Sequence, residues 1–440
     1  MSNYTISDDA LTQELQHIGS LIASGQLPQA AKALNDVQKR HGRDARIFLL
    51  GSRLAEQAGN PAGALQSAEL AQKAAPGWPV ATIELAMLLL RQKKYAEAVE
   101  QARRGVALAP DDFNVIRRCV GIAIQADNLP ATLEWLRKAV ALMPHEQRLR
   151  SLLAANLVAA REGEEALALY DQLVQEQPWD TETLAGRARA AMLVGKNEQA
   201  RQDAEALLRL EPGNTSHEYL LALARGEQPK TQPVEDVKNL FDRFADNFDT
   251  VLWKNLQYRV PEKAAGILLK AHPDRKFNLL DLGCGTGLVG VFLGRLNGFI
   301  IGVDLSEEMI RKAARHNVYE RFHNVNVLDA LRDTPSDHYE AITCCDVLVY
   351  VGDLSEVIPN ALRILKPGGH FIFSCEAATE DEEDMVLRAT GRFAHKASAV
   401  QRLCEEAGVG SVEIEQLPQL RTEGGEPLPG FLVTVRKSQN

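Results

Sequence analysis

The chain has 440 residues, 45% hydrophobic and 25% charged, with 49 basic against 59 acidic side chains and a net charge of about −10. That apolar content excludes a mostly disordered chain and predicts two or three folded domains, while the acidic balance argues against nucleic acid as a partner. From Met1 to Ala10 the chain is polar and acidic, and nowhere does an apolar run approach the ~18 residues of a membrane span, so neither a secretory leader nor a membrane partner is expected. The six cysteines, Cys119, Cys284, Cys344, Cys345, Cys375 and Cys404, share no CxxC or CxxH spacing. Scattered thiols of this kind fit a cytoplasmic location and predict neither disulfides nor a metal site.

The first half is periodic. Prolines stand at 76, 110, 144, 178 and 212, each 34 residues after the last, and the same frame carried back lands on Gly42. Twelve residues before each of these stops comes a small side chain: Ala30, Ala64, Ala98, Thr132, Ala166 and Ala200. Small residues let two antiparallel helices cross closely. Apolar residues at helical spacing, such as Leu85, Leu88, Leu89, Tyr95, Ala98 and Val99, fill the rest of a unit. A helix-turn-helix of 34 residues with a small residue at unit position 20 and proline at 32 resembles the tetratricopeptide repeat. The resemblance implies an α solenoid of about six repeats whose inner surface, formed by the first helices, holds extended peptides.

In that frame the inward positions include Arg46, Arg53, Arg117, Arg148 and Arg189, against Glu56 and Glu182. Guanidinium groups gathered in an acidic chain point to an acidic peptide, with Arg117 and Arg148 as substrate-binding candidates. A solvated arginine face is the competing reading. The apolar-periodic stretch from Ser216 to Arg225 is expected to cap the array, and Gly226, Pro229 and Pro233 mark a linker. The expected division is repeats over 11–225, linker over 226–237 and a second domain over 238–440.

In the second half, Phe277 to Leu282 reads as a buried strand entering the turn Gly283-Cys284-Gly285-Thr286-Gly287, followed by a helix over 289–296. Glycines at these positions let backbone turn tightly and approach a ligand. No Lys-Ser/Thr follows, which excludes a nucleotide-triphosphate loop, and the gap to the third glycine is too short for a dinucleotide fingerprint. Asp281 stands just inside the turn. The second strand, 299–303, ends at Asp304, whose carboxylate suits both hydroxyls of a ribose. A helix over 307–316 follows, then a third strand, 325–327, leading to Asp329, a candidate acceptor for an adenine amino group. The fourth, 340–345, ends at Asp346; Leu365-Lys366-Pro367-Gly368-Gly369 turns into a fifth, 370–374. Strands alternating with helices predict a Rossmann-like, doubly wound α/β sheet with its site at the carboxyl ends.

The loop at 281–287, the acids at 304 and 329 and the Leu-Lys-Pro-Gly-Gly turn together resemble the class I S-adenosylmethionine-dependent methyltransferases. The resemblance implies S-adenosyl-L-methionine as cofactor, held by Asp281, Gly283, Cys284, Gly285, Gly287, Asp304, Leu305, Asp329, Ala330 and Asp346. The segments Phe241 to Asp249 and Leu256 to Pro261 are similar to the entry region of bacterial fusions of repeats with such a domain, which makes Tyr258 a candidate to close over the cofactor. Gly391 to His395 and Leu420 to Phe431 are similar to the same group, the latter as a closing hairpin.

Methyl transfer from a sulfonium is an in-line displacement, so the protein must mainly align the acceptor and exclude water. A base is needed only where an amine or hydroxyl loses its proton near the transition state. Asp346, Tyr350 and His395 are the catalytic candidates, and Glu376 is a substrate-binding one. The fourth strand lacks the Asn/Asp-Pro-Pro-Tyr/Phe run that positions exocyclic amines. The expected function is methylation of a protein or peptide recruited by the repeats; the alternatives are a small-molecule methyltransferase whose repeats serve assembly, homodimers included, and a scaffold that binds the cofactor without catalysis.

Overall fold

The structure is a computed structural model, described over residues 10–245, 258–423 and 426–439. Its contacts divide it into two compact units, Met1–Leu210 and Glu211–Asn440.

The first unit is six antiparallel helix pairs: Ala10–Ala23 with Leu27–His41, Ala45–Gln57 with Pro61–Ala74, Pro79–Arg91 with Tyr95–Leu108, Phe113–Gln125 with Leu129–Leu142, Gln147–Ala159 with Gly163–Glu176, and Thr181–Leu193 with Asn197–Leu210. Pro76, Pro110, Pro144, Pro178 and Pro212 each follow by two residues the end of a second helix, where a missing N–H and a fixed φ stop the helix. The start of a first helix is set by side-chain capping where an aspartate precedes it: Asp44, Asp112 and Asp180 accept backbone N–H bonds from Arg46, from Asn114 and Val115, and from Thr183. Asn60 and Asn128 do the same for two of the second helices. The six small residues at the helix crossings are all buried, as close helix packing requires.

The second unit begins earlier than the sequence suggests. The helix Thr215–Ala224, expected as a cap on the repeats, falls within it, and Ser216 Oγ donates to Asp236 Oδ1 at 2.9 Å. The stretch expected as a free linker is laced onto the same unit. Gln228 donates to the carbonyl of Met385, Lys230 pairs with Asp353 at 2.8 Å, and Thr231 bridges Val351. It leads into the helix Val234–Phe244. The lead-in residues 246–257 lie outside the described residues.

Among the described residues nine strands form one sheet: β1 Leu279–Leu282, β2 Ile300–Val303, β3 Arg321–His323, β4 Tyr339–Cys344, β5 Leu365–Ala377, β6 Met385–Leu387, β7 Phe393–His395, β8 Val409–Glu423 and β9 Glu426–Lys437. Their order is β3-β2-β1-β4-β5-β7-β6, parallel from β3 to β7, with β9 antiparallel on β5 and β8 on β9. Alternate residues serve opposite faces. Leu279, Ile300, Ala341 and Ile372 pack with the helix Val260–Ala271, whereas Leu280, Ile301, Ile342 and Phe371 pack with the helix Val357–Ile364. The third strand is the one misplaced by sequence. It occupies 321–323, and the residues read as its end form the helix Val327–Asp333 instead.

Candidate functional site

The carboxyl ends of β1, β2 and β4 open into a cavity of about 350 Å³. Its floor is the turn after β1, where Gly283, Gly285 and Gly287 have φ of 63°, 54° and 88°. Gly287 starts the helix Leu288–Leu293, so the turn converts strand into helix within five residues. A Cβ at Gly283 would stand 2.2 Å from Val347 Cγ2, so this position demands glycine for space as well as for φ.

Two buried aspartates hold this turn. Asp281 accepts from Thr343 Oγ1 and from Tyr319 Oη, both at 2.6 Å, tying β1 to β4 and to the residues before β3. Asp304 accepts the N–H of Gly285 at 2.8 Å on Oδ2 and the N–H of Ser306 at 2.9 Å on Oδ1. Burial pushes both carboxyls up to about 6. Asp304 and Leu305 line the cavity beside Cys284, with Asp304 only 9% exposed.

Asp329 and Ala330 are not at the cavity. Asp329 lies in the first turn of the helix Val327–Asp333, largely exposed and 3.7 Å from Arg332, and Ala330 packs against the core. The cavity wall there is Asn326 and Val327. Asn326 caps the helix by accepting the N–H of Leu328 at 2.8 Å. An asparagine directly before an apolar-periodic run was the available signal. Asn324, two residues before it, donates to the carbonyls of Asp304 and Leu305 and fixes the turn after β2.

At the other end, Asp346 lines the cavity with φ of 58° and donates its N–H to Ser374 Oγ at 2.8 Å. Its Oδ1 accepts from Arg421 Nη1 at 2.5 Å, and Arg421 Nη2 donates to Glu376 Oε1. Arg421 comes from β8 and is 2% exposed. Glu376 therefore sits behind the arginine and does not line the cavity. Tyr258 does line it, 3% exposed, with its hydroxyl near Ser374 and Asp346 but without a hydrogen bond of normal length. Burial raises its phenol well above the ordinary value.

Tyr350 closes the short helix Leu348–Tyr350, lines the cavity and stands edge-on to Phe241 with centroids 5.4 Å apart. His395 does not reach it. Its Nε2 lies 2.7 Å from the carbonyl of Gly352, the ring is 3% exposed on β7, and burial lowers its pKa. A buried imidazole bonded to backbone is a packing element, not a proton carrier for the cavity.

The cavity roof escaped sequence reading. Val234, Val237, Leu240 and Phe241 line it at helical spacing, and Thr231 and Gln232 extend it. This roof is fastened at both ends. Ser306 Oγ donates to Asp242 Oδ1 at 2.6 Å near Asp304, while the N–H of Gln232 donates to the carbonyl of Tyr350 at 3.1 Å.

In the first unit, Arg46 pairs with Asp44, Arg53 with Glu84 and Glu56 with Arg91. Arg117, Arg148 and Arg189 are exposed, and among the described residues they form no ion pair. Among the described residues there is also no cluster of His, Cys, Asp or Glu fit for a metal and no helix long and apolar enough to cross a membrane.

Comparison with known proteins finds a family match within each unit. Residues 280–371 match the family model described as a methyltransferase domain, and residues 16–79 match a tetratricopeptide-repeat model. A ubiquinone biosynthesis O-methyltransferase of Alkalilimnicola ehrlichii is 32% identical over 100 residues, 22% of this chain and 40% of that protein. Its counterpart in Proteus mirabilis is 26% identical over 118 residues, 26% of this chain and 45% of that protein. The chain thus spans less than half the length of these curated relatives. Among solved structures, an S-adenosylmethionine-dependent methyltransferase of Methanosarcina mazei matches 39% of this chain and 98% of its own, at 18% identity and a TM-score of 0.33. A tetratricopeptide-repeat protein with an unusual peptide-binding site matches 44% and 98%, at 14% identity and a TM-score of 0.36. The chain joins tetratricopeptide repeats to a methyltransferase domain.

Proposed function

We propose that the second unit transfers a methyl group from S-adenosylmethionine to a hydroxyl or amine, and that the repeats recruit the protein or peptide carrying it. The observation that carries the first part is the buried Asp304 carboxylate, fixed by two backbone N–H groups beside a turn whose glycines leave backbone open to the cavity. The cavity fits the cofactor. Asp304 would take the ribose hydroxyls and Asn326 the adenine edge, and the Tyr258 hydroxyl is a buried polar atom in want of a partner.

When bound, the cofactor supplies an electrophilic methyl on a sulfonium. The protein's work is alignment and exclusion of water. The roof formed by Val234, Val237, Leu240 and Phe241 keeps solvent out. Asp346 presents to the acceptor the carboxylate oxygen that Arg421 leaves free, Oδ2, and takes its proton. Held by Asp304 and Asn326, the cofactor would supply the methyl group, and Asp346 would hold the proton that the acceptor gives up. Asp304→Ala is expected to weaken donor binding by about 10- to 100-fold, measured by calorimetry. Unchanged affinity would remove the ribose assignment.

Recruitment rests on the exposed, unpaired Arg117, Arg148 and Arg189. Reversing all three charges in the full chain, then supplying labelled donor to a lysate, is expected to cut label in protein by roughly tenfold. A second reading is favoured by the identity to ubiquinone biosynthesis O-methyltransferases and by the apolar roof: the acceptor is then a small, largely apolar molecule. Label confined to small molecules in the wild type would select it.

A further inference from the structure

We infer that Arg421 is a positioning residue for the methyl acceptor, acting through Asp346. The inference rests on the methyltransferase reading above and concerns a residue brought from the closing hairpin, 75 positions away from the carboxylate it holds.

Three observations converge on it. Arg421 spans two carboxylates, Asp346 through Nη1 and Glu376 through Nη2, so each arm of its planar fork is committed to a different strand end. The guanidinium and the Glu376 side chain are 2% and 3% exposed, whereas Asp346, which lines the cavity, retains 21% exposure. Asp346 itself holds a left-handed φ of 58°, with its N–H anchored on Ser374 Oγ. Aspartate adopts that conformation at some cost, and here a backbone bond and a side-chain ion pair secure it from both sides.

The consequence is geometric. One carboxylate oxygen of Asp346 is occupied by Arg421, which fixes the carboxylate and leaves its other oxygen for a partner in the cavity that Asp346 lines together with the unsatisfied hydroxyl of Tyr258. A fixed acceptor oxygen next to a hydroxyl donor suits a nucleophile that carries its own proton, an alcohol, phenol or amine, because both can direct its lone pair. Glu376 matters in turn as the anchor that keeps Arg421 from following Asp346. Arginine serves here where lysine does not, since one ammonium cannot reach two separate carboxylates with the same planarity.

The experiment uses the full chain, calorimetry with S-adenosylmethionine, and label transfer from methyl-labelled donor into a cell lysate. Arg421→Lys keeps the buried charge and hence the fold, but loses the fork. Turnover is expected to fall by about 10- to 100-fold, while donor affinity stays within about threefold of wild type. Glu376→Gln, which keeps shape and one anchor, is expected to cost roughly tenfold in turnover. If Arg421 merely balances charge, Arg421→Lys turns over within about twofold of wild type, and the inference is overturned. A loss of donor affinity matching the loss of turnover would place Arg421 at the cofactor and overturn it equally. Wild-type protein that binds no donor would instead bring down the methyltransferase reading, a distinct result.

Discussion

Both units contain places where backbone must come close to something else, and they meet the demand by different means. At the helix crossings of the repeats, Ala30, Ala64, Ala98, Ala166 and Ala200 have ordinary helical backbone and are fully buried; what is required of them is small volume. Thr132, equally buried, stands in the same register, its hydroxyl satisfied by the carbonyl of Asn128 at 2.9 Å. In the turn after β1, by contrast, Gly283 and Gly287 carry positive φ, and at Gly283 even a methyl group would strike Val347. Volume can be traded between neighbours, as Thr132 shows, but a left-handed backbone in a packed turn cannot.

The same kind of change should therefore break the two regions differently. Gly283→Ala introduces both the φ penalty and a clash, so the turn must move, and donor affinity is expected to fall by more than roughly 100-fold, read by calorimetry. Pairing it with Val347→Ala removes the clash and leaves the φ penalty, so only part of the loss should return. In the repeats, Ala98→Leu is expected to destabilise by about 1–3 kcal/mol, read in denaturant, with donor affinity unchanged. Equal effects on donor affinity would dissolve the distinction.

An arginine between two carboxylates occurs in both units, part-buried in the first and buried in the second, which sharpens the contrast. Arg187 in the helix Thr181–Leu193 donates to Asp203 at 2.6 Å and to Asp171 at 3.3 Å. Asp203 is 3% exposed, so Arg187→Met would leave a carboxylate stranded. The expected cost is about 3 kcal/mol of stability with no change in methyl transfer per folded molecule. Arg421 in the second unit is expected to show the reverse balance, a kinetic loss larger than its loss of stability when lysine keeps the charge.

What the sequence made legible follows the same line. The repeats could be laid out because each unit stops at the same place for the same reason, a proline two residues past a helix. The turn at 283–287 and Asp304 could be found because glycine and a strand-end acid leave local marks. The third strand was missed because Arg321-Phe322-His323 is an exposed edge without apolar alternation, while the apolar run beside it is the start of a helix capped by Asn326. That shift of one element carried Asp329 away from the cavity. His395 was misread because a histidine on an apolar strand has no local sign of its backbone partner, Gly352, 43 residues distant. Arg421 and the roof over the cavity depend on contacts between segments 45 to 119 residues apart, which spacing alone does not encode.

The smallest effect expected is one of pH, and it separates the demands of folding from those of binding. Burial raises Asp281 and Asp304 to about 6, above the ~3.9 of an unfolded aspartate. For a carboxyl shifted upward, the folded state holds its proton more tightly, so these two groups favour folding most below about pH 4 and lose that contribution as pH rises toward 6. Binding has the opposite sign. Ribose hydroxyls donate, so Asp304 must be ionised to accept them, and donor affinity is expected to fall by up to about tenfold per unit as pH drops below 6. Calorimetry at pH 7, 6 and 5 reads the slope directly. Asp304→Asn, which cannot ionise, should bind weakly at every pH and flatten it; a slope that survives this change would assign the pH dependence to another group.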